Sequence, residues 1–435
     1  MRFDFFIMGW QDMLYIRDLI KKKRNNQELS EEEMDFFISS YNKDEILKEQ
    51  AAALLAMMNV RELSIKEMSY LAKAVSESGT KLNIFEISNK LVNIHPIGGM
   101  DDKIIIMLMA ILNALDLPTI ETYGREIGIH DKLPNLKTLE LNNETKSNIK
   151  ELVENHETLL VREPKNMAPV ENKLYKLRND IACNDDISII AINLISQELA
   201  LGYKNVVFDI SYGEKAYVKT VKDAKKLAKI LIKIGSSDII GINVKCVITK
   251  LNEPVGKSFG TTIEVREALE SLSGNMSKDV EELLLEIGNC VLTLQTGCTD
   301  KRFNRKRIME AISSKIAYNK LLSMTTNEVV NTGLKKAIPV TSDTTGYISK
   351  IDVSDLRVTS QYLNAIRHSE MFELKYGTGI EICKKVGDKV NMGEIIGYIY
   401  TDEDTKIQKS VSNLKEAFGF SDNKVKKESR IKETL

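Results

Sequence analysis

From residue 15 to residue 78 the apolar positions recur at helical spacing. Ser30-Glu31-Glu32-Glu33 has the form of a capping box, with Ser30 as N-cap and Glu33 reaching back to its backbone. Phe36, Phe37 and Tyr41 then form an apolar stripe. Ser64-Ile65-Lys66-Glu67 repeats the device ahead of Met68, Leu71, Ala72 and Val75, and the Ala/Leu/Met-rich run from Glu49 to Met58 between them predicts a buried helix. From Phe85 the period changes. Asn205 to Ile210 reads as a buried strand, Val221 to Gly235 as an amphipathic helix and Ile239 to Ile248 as the next strand, a spacing that suggests parallel βαβ units. Beyond about Ile338 short β runs, Gly346–Ile351 and Val386–Val390, alternate with turn residues, and the last ~25 residues predict a helix followed by a frayed tail.

Composition narrows the class. The 435 residues suffice for two or three domains, with 43% apolar and 28% charged residues. Lys+Arg 61 against Asp+Glu 62 leaves a net charge of -1, which excludes a broadly basic nucleic-acid binder. Five scattered cysteines without a CxxC fit neither a disulfide framework nor a zinc site, and point to a reducing, cytoplasmic compartment. The opening MRFDFFIMGWQDML lacks a cationic start and a small-residue cleavage site, so a signal peptide is not expected. The longest apolar stretch, Ile104 to Leu115, is interrupted by Asn113 and is too short to cross a bilayer. No cofactor or metal site is expected, and no nucleic-acid or membrane partner.

Several short motifs occur in a telling order. Arg17 to Arg24 is followed by Glu28-Leu29-Ser30; Ala168-Pro169 precedes Leu174-Tyr175-Lys176-Leu177-Arg178; Val207-Phe208-Asp209 precedes Gly213 and Ala216. Glu253-Pro254-Val255-Gly256 leads to Gly260 and Ile263-Glu264-Val265, and Gly387-Asp388-Lys389-Val390 to Gly393-Glu394. Together they resemble the pyrimidine-nucleoside phosphorylase family, which includes thymidine phosphorylase. The resemblance implies an α/β protein with a small all-helical domain (14–80 and 168–200), a larger α/β domain with a mixed sheet (81–167 and 201–337) and a C-terminal α+β subdomain with tail (338–435). It implies a cleft between the first two and a homodimer joined through the helical domain, in keeping with the apolar surface offered by Phe36, Phe37, Tyr41 and Ala51–Met58.

The same resemblance assigns candidate site residues. Arg178 aligns with the family arginine that contacts a pyrimidine carbonyl; Asn193 stands for a serine and Gln197 for the lysine that stabilises the base. All three are expected on one side of the cleft, facing His95, the candidate catalytic residue. Without the resemblance Arg178 reads as a structural arginine, and Asn193 with Gln197 as a polar stripe. The loop Ile94-His95-Pro96-Ile97-Gly98-Gly99-Met100-Asp101-Asp102 keeps the family His, Gly pair and final Asp, but Ile94 replaces the phosphate-binding Lys and Pro96 the Ser. Ile105 and Tyr123 replace two further serines, and the segment after Gly124-Arg125-Glu126 is about four residues short and lacks the family Thr. Conventional phosphate binding is therefore expected to be lost, with Asp101 and Glu126 acidic where an anion would sit. Glu264 aligns with a family glutamate at a monovalent cation, but reads by itself as a helix-surface residue. His130, His156 and His368 belong to no constellation. Three functions follow: pentosyl transfer on a pyrimidine nucleoside or related glycosyl compound, a catalytically degenerate relative that binds a ligand or a partner, or an ordinary pyrimidine-nucleoside phosphorylase whose phosphate site is rebuilt from residues that do not align with the family's.

Overall fold

The protein is described from a computed structural model. It covers residues 14–435 except 99–101, 124–131, 133–134, 138, 141–148, 152, 154–157, 163–165, 215, 327–332 and 368–372. Two compact units emerge. Unit 1 comprises the chain to Ile84, Pro164–Tyr203 and Lys229–Asn243; unit 2 comprises Phe85–Glu163, Lys204–Ala228 and Val244–Leu435.

Unit 1 is helical. It contains α1 (Ile16–Arg24), α2 (Glu31–Asn42), α3 (Lys48–Val60) and α4 (Ile65–Glu77). Both predicted capping boxes form. The Ser30 hydroxyl accepts from the Glu33 N–H at 3.3 Å while Glu33 accepts from the Ser30 N–H at 2.7 Å, and Ser64 with Glu67 does the same at 3.2 and 3.0 Å. Glu67 does more than cap. It is buried and paired with the equally buried Lys23 at 2.8 Å, tying α1 to α4. Phe37, Tyr41, Leu54, Leu55 and Met58 are buried inside the unit without help from a second subunit. Of the apolar surface expected there, Phe36, Ala52, Ala53, Ala56 and Met57 remain half-buried; outside it, Leu47 and Val60 are exposed.

Unit 2 begins within the short α5 (Ile84–Ile87), at Phe85. Its elements are β1 (Val92–Ile97), α6 (Asp102–Ala114), β2 (Thr119–Tyr123), β3 (Leu139–Glu140) and β4 (Thr158–Arg162). After α7 (Pro169–Asp180) and α8 (Ile187–Leu201) of unit 1 come β5 (Asn205–Tyr212), α9 (Val221–Gly235) and β6 (Asn243–Lys250). The strand expected from Ile239 starts later. Ile240 and Gly241 donate back to the Ser237 carbonyl, and Gly241 takes a φ of +64°, so a turn precedes Asn243. The main sheet has the order β1-β5-β6-β14 and is mixed: β1 and β5 run parallel, whereas β6 and β14 (Ile431–Thr434) run antiparallel. Residues 104–112 of α6 are buried on every side, as an all-apolar run demands, against α10 (Thr261–Leu272), α11 (Lys278–Thr296), α12 (Lys301–Ser313) and α13 (Ile316–Met324).

The C-terminal part holds its own core. Two antiparallel sheets, β7-β10-β12-β8 and β11-β9-β13, pack with α14 (Val353–Tyr362) and α15 (Asp404–Glu416). Their strands are β7 (Ser258–Phe259), β8 (Ala337–Thr341), β9 (Gly346–Ile351), β10 (Gly379–Ile382), β11 (Lys389–Val390), β12 (Ile395–Tyr400) and β13 (Phe418–Ser421). The expectation of a frayed tail is corrected here. Residues 431–434 add β14 to the main sheet, and buried Arg430 donates to the carbonyls of Glu253 and Pro254 at 2.9 Å each. A polar composition concealed this strand because its stability comes from pairing with residues about 180 positions earlier.

Candidate functional site

Helix α7 opens at Pro169, whose fixed φ and missing N–H suit a first helical turn, after Ala168 in the left-handed region at φ 42°. Helix α8 is capped by Asp186, which accepts from the N–H groups of Ser188 and Ile189 at 2.8 and 3.0 Å. These two helices bring Arg178 and Asn193 together. Arg178 is buried, 3% exposed, and its Nη1 donates to Asn193 Oδ1 at 2.9 Å; Glu171 stands 3.7 Å from Nη2. Gln197 lies one turn beyond Asn193 on α8 and is half-buried. The guanidinium is thus oriented by a hydrogen bond to an amide oxygen and by a carboxylate at ion-pair distance. That orientation suits a donor for a planar carbonyl-bearing ring.

In unit 2, His95 lies on β1 opposite Phe208 of β5 and is half-buried, its ring 5.5 Å from the Phe208 ring and tilted by 48°. Pro96 stands opposite Asp209. Asp209 is buried and accepts from the Thr249 hydroxyl at 2.8 Å, and Thr249 in turn lies 3.0 Å from the Ser211 hydroxyl. This buried polar chain links β5 to β6 just before the strands end. The strand motif Val207-Phe208-Asp209 was a sequence signal for it, but its partner Thr249 carried none.

The four positions where the family resemblance places phosphate donors are apolar or strand residues here. Ile94 and Ile105 are each 4% exposed and belong to the main core of unit 2. Pro96 has no N–H to offer. Tyr123 ends β2, in register with Arg162 of β4. Gly99, Asp101, Arg125, Glu126, His130, His156 and His368 lie outside the described residues.

Glu264 is not on a surface. It is 3% exposed, accepts from the Gly260 N–H at 3.0 Å and faces the Lys132 ammonium at 3.2 Å. An internal cation therefore compensates its charge. A second buried pair escaped the sequence reading: Lys103 meets Glu267 at 2.7 Å, at 1% and 4% exposure. Lys103 also donates to the carbonyls of Val255 and Ser258, and Glu267 accepts from the N–H groups of Lys257 and Ser258. The Glu253–Gly256 segment is closed down on this carboxylate, and a Cβ on Gly256 would stand 2.2 Å from Glu267 Oε1, at a φ of +63°.

Comparison with known proteins gives a consistent result. Residues 17–79 match the helical bundle domain of the glycosyl transferase family, and residues 347–421 match the pyrimidine nucleoside phosphorylase C-terminal domain. Pyrimidine-nucleoside phosphorylase of Staphylococcus epidermidis is 29% identical over 399 residues, 88% of this chain and 92% of that protein. The enzyme of the same name from Staphylococcus aureus is 29% identical over 414 residues, 91% of this chain and 95% of its own length. Anthranilate phosphoribosyltransferase from Thermus thermophilus shares the fold at a TM-score of 0.50 and 14% identity, over 71% of this chain and 98% of its own. From its N-terminal helices to its C-terminal sheets, the chain resembles the pyrimidine-nucleoside phosphorylases.

Proposed function

We propose that this protein binds a pyrimidine nucleoside or a related glycosyl compound and acts by pentosyl transfer, without the family's conventional phosphate site. The observation that carries the reading is the buried Arg178, oriented by Asn193 on helices whose sequence matches relatives named for pyrimidine nucleosides. In such a reaction the glycosidic C–N bond breaks, its electron pair leaves with the base, and an oxygen nucleophile bonds to the anomeric carbon. Arg178 would donate to a base carbonyl and draw off the developing negative charge. Asn193 and Gln197 would add hydrogen bonds without charge. His95 is assigned the proton-handling role on the sugar side.

Ile94 and Ile105 support the loss of phosphate binding, because both positions are occupied by core packing. The same observation favours a second reading, in which the protein binds its ligand and does no chemistry. The helical domain is assigned to 14–80 and 168–200, the α/β domain to 81–167 and 201–337, and the C-terminal subdomain to 338–435. A cytoplasmic homodimer is proposed with them, joined through the helical domain.

Titration with uridine, thymidine and the free bases, followed by assay of base release with and without phosphate, tests these readings. Pyrimidine binding that weakens at least about tenfold in Arg178→Ala is expected, the loss of one charge-assisted hydrogen bond. Unchanged binding would remove the base-site assignment. Base release above about 1 s⁻¹, the low end of ordinary turnover, that requires phosphate would overturn the loss of phosphate use.

A further inference from the structure

We propose that unit 2 carries a binding site for a phosphate-bearing small molecule where β5, β6 and β9 end, at residues other than those the family resemblance assigns to phosphate. A cavity of about 510 Å³ opens there, within the usual range of roughly 300–1,000 Å³ for metabolite sites. It is bounded by Gly98 just after β1, the turn after β5, the residues after β6, the end of β9 and the first two turns of α14.

Its charge is lopsided. Lys219, Lys250, Lys350 and Arg357 line it, against the two carboxylates Glu214 and Asp352. Asp352 is already committed: it accepts from the N–H groups of Ser354 and Asp355 at the head of α14 and meets Lys350 at 3.2 Å. Glu214 is exposed and 3.9 Å from the same lysine. Lys250 is paired with Glu428 at 2.7 Å in a solvent-exposed contact. Among the described residues, no carboxylate lies at ion-pair distance from Lys219 or Arg357, both of which are exposed.

Two uncompensated cations facing one concavity, one of them a guanidinium, make a receptor for a doubly charged oxyanion. The guanidinium fork matches two phosphate oxygens, and the ammonium supplies a point charge. Concave walls concentrate that field. The rest of the lining includes Tyr212, Leu251, Ile351 and Val353, which suit the body of a compact molecule rather than a bare ion. A net charge of -1 for the chain and the limited size of the cavity favour a small ligand over a polynucleotide. A phosphorylated sugar has the required anionic head and compact polar body.

Isothermal titration of the whole protein at low ionic strength tests this, with ribose 5-phosphate and inorganic phosphate as probes. Ribose 5-phosphate is expected to bind with a Kd below about 1 mM, and Arg357→Gln and Lys219→Gln are each expected to weaken it about tenfold or more. Both residues are exposed, so the variants keep the fold. Lys306→Gln, an exposed lysine on α12, should leave binding unchanged. Equal affinity for the two probes, lost in the same variants, would support the site with phosphate itself as its ligand. Absence of binding up to about 10 mM of either probe, or equal weakening in Lys306→Gln, would overturn the proposal. Uridine titration of the same variants separates the outcomes, because failure of this pocket leaves the role of Arg178 untouched.

Discussion

Replacing Glu267 by Gln should destabilise unit 2 far more than a surface charge change would. The carboxylate receives three hydrogen bonds: from Lys103 at 2.7 Å, from the Lys257 N–H at 2.7 Å and from the Ser258 N–H at 2.9 Å. Lys103 is 1% exposed. After substitution its ammonium keeps only the carbonyls of Val255 and Ser258, at 3.1 and 2.9 Å, and no counter-charge. Breaking a buried pair by removing one partner costs about 3–5 kcal/mol. The glutamine accepts through its one amide oxygen only, and its NH2 group is left facing at least one of the two backbone N–H donors, so the upper half of that range applies. Domains are stable by only about 5–15 kcal/mol, so the loss is large. A chain with two units need not unfold in one step, which makes amide hydrogen exchange in α6 and α10 a better measure than a single melting curve. The double variant Lys103→Met/Glu267→Gln removes the stranded charge and should recover at least about 2 kcal/mol relative to the sum of the singles. A Glu267→Gln loss below about 1 kcal/mol, or a strictly additive double variant, would show that water reaches the pair and that burial does not set its energy.

Three further outcomes follow from the geometry. Ser30→Ala should cost about 1 kcal/mol in the exchange of α2 by removing a cap, with little effect on unit 2; equal losses in both units would contradict a local role. Burial opposes the charge on Glu286, but hydrogen bonds from Lys301, Thr434 and Arg305 outweigh it and hold its pKa below the usual glutamate value. The stability this supplies is full above the unfolded pKa of about 4.3 and is lost as pH falls through the lower folded value. Glu286→Gln should therefore flatten the acid limb of a stability–pH curve, and an unchanged limb would refute the assignment. Deleting residues 430–435 should expose β6 to exchange, because β14 and Arg430 go together; retained protection of residues 246–249 would show the strand to be dispensable.

Features settled within a few residues were legible in the sequence alone. The two capping boxes join atoms three positions apart, and the amphipathic period of Val221–Gly235 marks one helix to its ends. The α/β character followed from the order of strands and helices, whereas the apolar run of α6 marked only a stretch too short for a bilayer, and its burial on every side came from packing. Glu67 marks the limit: its capping role is local and visible, whereas its pairing with Lys23 spans 44 positions. The same holds for Arg178 with Asn193, whose separation of 15 hinted at a common face while the 2.9 Å hydrogen bond required α7 and α8 to pack. Glu264 read as a surface residue because a glutamate on a helix is usually solvated; only packing placed Lys132 beside it and closed off water. Lys103 with Glu267, β14 on β6, and the cationic cavity are likewise meetings of distant segments. Hydrogen bonds within a turn are specified by neighbouring residues, but the partner of a buried charge is chosen by the tertiary arrangement that removes it from water.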